Sequence, residues 1–207
     1  MNNISNNLDR IFDADAKLFA SRYIDYLAEV LRRIDVHEIE GFIRAVLDAR
    51  DRGATIFFIG NGGSAATASH FANDLGFGTD AYAKPFRAVS LADNHAIVTA
   101  LANDFGYEEV FVRQLRIQGR AGDLLVGISA SGNSPNLLKA FEYARQVRIR
   151  TVAITAFDGG RMKRAADLGI HVPTGLKEYG PAEDAHMMLD HLIGAYLTRL
   201  IRNERIG

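Results

Sequence analysis

The sequence predicts an α/β fold: a parallel sheet of five short strands flanked by helices, as in Rossmann or flavodoxin-like sandwiches, with an N-terminal helical extension. Three observations predict it. Short apolar runs recur along the chain, each closed by a turn rich in Gly, Ser or Asp and followed by a stretch of helical period. The run Leu124–Ile128 is almost wholly apolar, as a strand covered on both faces must be. Strand-like and helix-like segments alternate throughout, which is the order of βαβ units.

Residues 8–34 carry apolar side chains at Leu8, Ile11, Phe12, Phe19, Tyr23, Tyr26, Leu27, Val30, Leu31 and Ile34. Steps of three and four dominate, so one long amphipathic helix is expected. Its stripe extends beyond what one core needs, and residues 1–34 are read as an oligomerisation helix in preference to one packed only on its own domain. Residues 35–207 then form the α/β domain. Asp35 is placed to cap the next helix, with Glu38 at capping-box spacing and Gly53 as its stop. Ile56–Ile59 is the first strand. It runs into Gly60-Asn61-Gly62-Gly63-Ser64 and a helix bearing His70 and Asp74.

Phe86–Leu91 is the second strand. Asp93 opens a helix to Leu101, Asn103–Gly106 reads as a turn, and a helix follows from Tyr107 to about Ile117. After the Gly119–Asp123 turn, Leu124–Ile128 is the third strand. It ends in Ser129-Ala130-Ser131-Gly132-Asn133-Ser134-Pro135, before a helix from Asn136 to about Val147. Thr151–Thr155 is the fourth strand, closed by Asp158-Gly159-Gly160 and a short helix over Arg161–Ala166. Gly169–Val172 is the fifth, stopped by Pro173. Pro181 suits the first turn of a last helix reaching about Asn203. No linker, low-complexity tract or tandem repeat divides the chain.

Composition narrows the function classes. With 48% hydrophobic and 24% charged residues the chain is globular, and a net charge of −1 argues against nucleic acid or an anionic membrane as main partner. There is no cysteine, which excludes disulfides and thiolate chemistry. The polar start MNNISNNLDR has no apolar signal core, so a soluble cytoplasmic protein is expected.

Two turns carry chemistry. In Gly60–Ser64 the glycines permit positive φ and close backbone approach, and the helix behind them favours an anion. The turn is neither a G-x-G-x-x-G fingerprint nor a P-loop, since no Gly-Lys-Ser/Thr closes it. Ser129–Ser134 also lies between a strand and a helix and offers three hydroxyls. Either turn alone has a plainer reading, a tight turn without a ligand at Gly60–Ser64 and a simple helix cap at Ser129–Ser134. Two at the carboxyl ends of strands in one parallel sheet, both free of formal charge, point to a phosphorylated small molecule that must bind and leave. No lysine of the kind expected at a phosphoryl-transfer site accompanies them.

The stretches GNGGSAATASHFANDL, ALANDFGY, GDLLVGISASGNSPNLLKA and FDGG resemble the SIS (sugar isomerase) domain. Within that family they are most similar to the sedoheptulose 7-phosphate (phosphoheptose) isomerases, from about Leu31 to the C-terminus. The resemblance implies a homotetramer with sites shared between subunits, and an aldose–ketose isomerisation, an intramolecular oxidoreduction. The substrate would be sedoheptulose 7-phosphate and the product D-glycero-D-manno-heptose 7-phosphate, on the way to lipopolysaccharide and other surface glycans. Carried over by position, the substrate-binding residues are Asn61, Gly62, Gly63, Ser64, Asp74, Asn103, Asp104, Ser129, Ala130, Ser131, Ser134 and Glu183. The acid/base pair falls on Asp74 and His191, and a Zn²⁺ site on His70, Asp74, Glu183 and His191.

That chemistry suits those residue types. Moving a carbonyl between C1 and C2 passes a proton between the carbons through an enediol, and carboxylate and imidazole can be tuned near neutrality for it. His70 and Asp74, at i and i+4, share a helix face and can reach one ion. Glu183 and His191 are close to two turns apart, so completing the cluster calls for another helix position or another subunit. His37, His95 and His171 are read as structural, and His186 as an accessory at most.

The chain departs from the family pattern. Asp74 stands for a glutamate, Glu183 for a glutamine and Ala130 for a threonine. Leu75-Gly76-Phe77-Gly78 lacks the family's arginine, and the Glu178–Ala182 loop differs. These changes bear on the identity of the sugar more than on the reaction class. The competing readings are an isomerase of another sugar phosphate and a non-catalytic SIS module that binds a phosphosugar or a replication initiator.

Overall fold

The computed structural model describes residues 6–204. Five strands, β1 (Thr55–Gly60), β2 (Arg87–Ser90), β3 (Leu124–Ser129), β4 (Arg150–Thr155) and β5 (Leu168–His171), pair all-parallel in the order β2-β1-β3-β4-β5. This is the doubly wound sheet expected, with each strand within two residues of its sequence bounds. Neighbours β1 and β3 connect outward in opposite directions, so the turns that follow them open side by side at the switch point.

The helices are α1 (Asn7–Ile11), α2 (Ala16–Arg32), α3 (Val36–Asp51), α4 (Gly63–Asn73), α5 (His95–Phe105), α6 (Val112–Gln118), α7 (Pro135–Gln146), α8 (Gly160–Ala165) and α9 (Tyr179–Glu204). Alternate strand residues feed two core layers. Ile56, Phe58, Val126, Ile128 and Ile154 pack with Phe42, Val46, Phe71, Leu189 and Ile193. Phe57, Ile59, Leu125 and Ala153 pack on the other face with Val110, Phe111, Leu115, Leu137, Phe141 and Met162. Among the described residues no helix is long and apolar enough to cross a membrane.

The single N-terminal helix expected over residues 8–34 is broken in two. The Asp13 carboxylate accepts the Asp15 N–H at 2.9 Å, and Asp15 caps α2 by accepting the Lys17 N–H at 2.9 Å. Such local side-chain-to-backbone bonds divert the chain from a continuous helix. Part of the α2 stripe is spent within the chain: Tyr26 and Val30 are buried, and Tyr23 donates to Asp184 of α9 at 2.6 Å. Phe12, Leu18 and Ile24 remain exposed.

Two local readings also change. Asp35 does cap α3, but Glu38 accepts the backbone N–H of His171 at 2.7 Å instead of closing a capping box. Asn94, not Asp93, caps α5, whose last turn takes in Asn103–Phe105 before Gly106 stops it at φ 91°. The helix expected from Tyr107 is a 3₁₀ turn, Tyr107–Glu109, followed by α6.

Candidate active site

The turns after β1 and β3 meet in one pocket of about 150 Å³, lined by Asn61, Ser64, Ser129, Ala130, Ser131, Ser134, Tyr179 and Glu183. That is smaller than the ~300–1,000 Å³ of drug-sized ligand sites and suits a phosphate with part of a sugar. The Ser129–Ser134 turn is held by close backbone contact. Gly132 sits at φ 60°, and a Cβ there would lie 2.1 Å from the Gly159 carbonyl oxygen. The Asp158-Gly159-Gly160 motif is therefore the wall against which the serine turn is folded.

Gly62 caps α4 at φ 54° with no side-chain hydrogen bond to the first turn. Asn61 is fixed by two reciprocal amide bonds with Asn136, of 3.0 and 2.8 Å, and by the Tyr107 hydroxyl at 2.9 Å. Asn136, Tyr107 and Tyr179 were not singled out in the sequence, where each reads as an ordinary helix or turn residue. Asn103 and Asp104 lie exposed on the last turn of α5, where Asn103 donates to Asp104 at 2.8 Å. They do not line the pocket of this chain.

The residues expected as the acid/base pair, Asp74 and His191, come together where α4 and α9 lie side by side. The two helices run in the same direction: Gly63 abuts Glu183, the rings of His70 and His191 are 4.9 Å apart, and Gly194 abuts Asp74. Asp74 begins a π-helical turn, Asp74–Gly78, at the end of α4, a departure from α geometry often found at functional sites. His70 Nε2 lies 3.6 Å from Asp74 Oδ1 and 3.9 Å from Asp190 Oδ2. One ligand atom from each of His70, Asp74, Asp190 and His191 lies within 4.8 Å of the others.

Asp190 was not anticipated. It is 0% exposed, and neither carboxylate oxygen accepts a hydrogen bond. Burial, and then the charge of Asp74, push its carboxyl up to about 7. The signal was present in the sequence, because Asp190 falls in phase with the buried stripe of Ala182, His186, Ile193 and Leu197.

Two imidazoles and two carboxylates, one of them buried without a partner, fit a divalent transition metal such as zinc. Glu183 is not in this group. It stands about two turns earlier on α9, with its carboxylate over the first turn of α4, where a Cβ on Gly63 would fall 2.2 Å from Oε2.

His186, one turn before Asp190, is fully buried with neither ring nitrogen hydrogen-bonded, and burial pushes its imidazole down to about 4. The unfolded chain takes up this proton near pH 6.5 and the folded one only near 4, so the contribution is intact above 6.5 and lost as pH falls between them. The loss is on the order of 3 kcal/mol. Asp190, raised in the folded state, runs the other way over the same range in the metal-free protein. Urea unfolding of metal-free wild type and His186→Leu at pH 7 and pH 5 isolates the histidine. The wild type should lose stability relative to the variant on acidification, and parallel pH dependences would refute the assignment.

The fold and the paired turns are those of a sugar isomerase domain. The SIS-domain model matches residues 22–156, and the chain belongs to that family. It is 42% identical to the phosphoheptose isomerase of Akkermansia muciniphila over 79% of this chain and 86% of that protein. It is 36% identical to the phosphoheptose isomerase of Helicobacter pylori strain Shi470 over 78% and 83%. The solved phosphoheptose isomerase of Neisseria gonorrhoeae superposes with a TM-score of 0.78 at 30% identity, covering 87% of this chain and 97% of that one.

Proposed function

We propose that the chain isomerises sedoheptulose 7-phosphate to D-glycero-D-manno-heptose 7-phosphate. The observation that carries this reading is that Asp74 and His191, from two different helices, meet within one chain. Its phosphoheptose isomerase relatives supply the substrate class. The phosphate binds at Ser129, Ser131 and Ser134, whose hydroxyls and following helix N-terminus donate without charge. Glu183, at the other wall, keeps the dianion on the serine side. From Glu183 to Asp190 along α9 is about 10 Å, comparable with an extended sugar phosphate of six or seven carbons.

One of the pair Asp74 and His191 removes a proton from C1 and returns it to C2, while the other passes a proton from O1 to O2 through an enediol. Zn²⁺ held by His70, Asp74 and His191 would polarise the carbonyl and offset charge developing on the oxygens. The exposed Phe12, Leu18 and Ile24 of the N-terminal helices fit the homotetramer the resemblance implies, which light scattering on the eluting protein checks.

The test is incubation with sedoheptulose 7-phosphate in deuterated water, with and without chelator. Aldose should form with deuterium at C2, slow with chelator and recover with Zn²⁺; neither aldose nor label would overturn the reading. Glu183 and Ala130 favour a second reading, another sugar phosphate as preferred substrate. A thermal-shift panel of C5 to C7 sugar phosphates separates the two, the true substrate giving the largest stabilisation.

A further inference from the structure

We propose that Asp190 is a ligand of the metal centre beside His70, Asp74 and His191, while Glu183 of the same chain faces the sugar. This deepens the isomerase reading and rests on it for the sugar, though not for the ion. Residues bound to one zinc lie about 2.0–2.2 Å from it, so their donor atoms are at most about 4.4 Å apart. Glu183 abuts Gly63, whereas His191 abuts His70. Seven residues separate Gly63 from His70 and eight separate Glu183 from His191, so the two levels differ by about 10 Å along parallel helices. One ion between His70 and His191 is out of reach of Glu183 in the same chain.

Asp190 is at the right level. Its Oδ2 is 3.9 Å from His70 Nε2, and its donor atom lies within 4.8 Å of those of His70, Asp74 and His191. It is 0% exposed, and both oxygens lack a hydrogen bond. A buried carboxylate left without partners is strongly disfavoured, and a cation between α4 and α9 supplies the missing one. Glu183, lining the pocket with Ser64, Ser129 and Ser131, is left free to accept hydrogen bonds from sugar hydroxyls.

The experiment titrates Co²⁺, followed by its visible absorption, into the full chain freed of metal, with no sugar present. Asp190→Asn and Asp190→Ser should each bind Co²⁺ at least about tenfold more weakly and with altered bands. Their metal-free melting temperatures should not fall below wild type, since an unpaired buried charge is gone. Glu183→Ala, which removes the hydrogen-bonding carboxylate, should raise KM for sedoheptulose 7-phosphate severalfold. Wild-type Co²⁺ binding by both Asp190 variants overturns the proposal. Because the Co²⁺ measurement needs no turnover, it stands apart from any failure of the isomerisation assay.

Discussion

Asp74→Asn and His191→Gln are each expected to lower kcat for sedoheptulose 7-phosphate by about 10²–10⁴-fold, the contribution of a positioned general acid or base. Both substitutions keep side-chain volume close to native and fall on partly or fully exposed positions, so the chain should fold normally by circular dichroism. Either residue can act on protons or on an ion, and the two roles separate experimentally. If the loss is only of ion affinity, excess Zn²⁺ restores turnover. If the residue moves a proton, turnover stays low at saturating Zn²⁺, and exchange of solvent deuterium into the substrate carbon falls in step with it. The second pattern is expected for at least one of the pair. Near-wild-type turnover in both variants would remove the acid/base assignment altogether.

The sequence made the sheet legible because each strand is a contiguous apolar run cut off by glycine, serine or proline, a signal that survives without knowledge of tertiary contacts. The pairing of the two glycine- and serine-rich turns followed from the same logic, since strands in a parallel sheet present their carboxyl ends to one side. Other features were hidden because they depend on competition between local bonds or between helices. Asp13 and Asp15 lie in phase with a helix but bond to their own backbone, and only the coordinates show that these bonds win. Glu38 has capping-box spacing yet is drawn to His171, 133 residues away, by the packing of α3 against β5.

The candidate site was half legible for a similar reason. His70 and Asp74 share a face of one helix, so their proximity is a matter of period. Whether α9 meets that face at Glu183 or at Asp190 depends on the register of two helices, which no single-helix pattern contains. The resemblance transferred Glu183 by position, whereas the coordinates place Asp190 beside the histidines.

Phe71→Ala should produce the largest loss of stability of any single truncation near the site while leaving the chemistry in place. Phe71 is 0% exposed, stacks on Phe58 of β1 at 5.3 Å with rings 9° apart, and meets the edge of Phe42 of α3 at 6.0 Å. These three rings seat α4 against the sheet and fix the helix whose next face carries His70 and Asp74. Truncation leaves a cavity between rigid neighbours that cannot close, for a loss of about 3–5 kcal/mol. In a chain of 207 residues that corresponds to a fall in melting temperature of roughly 10 °C or more. Phe71→Leu keeps much of the volume and should lose clearly less. At low temperature, where Phe71→Ala remains folded, its kcat should stay within about tenfold of wild type, since both histidines and both aspartates are unchanged. A melting temperature near wild type would contradict the role of this ring cluster. A loss of kcat as deep as that of Asp74→Asn in folded protein would instead show that catalysis requires α4 to be held to within a fraction of an ångström.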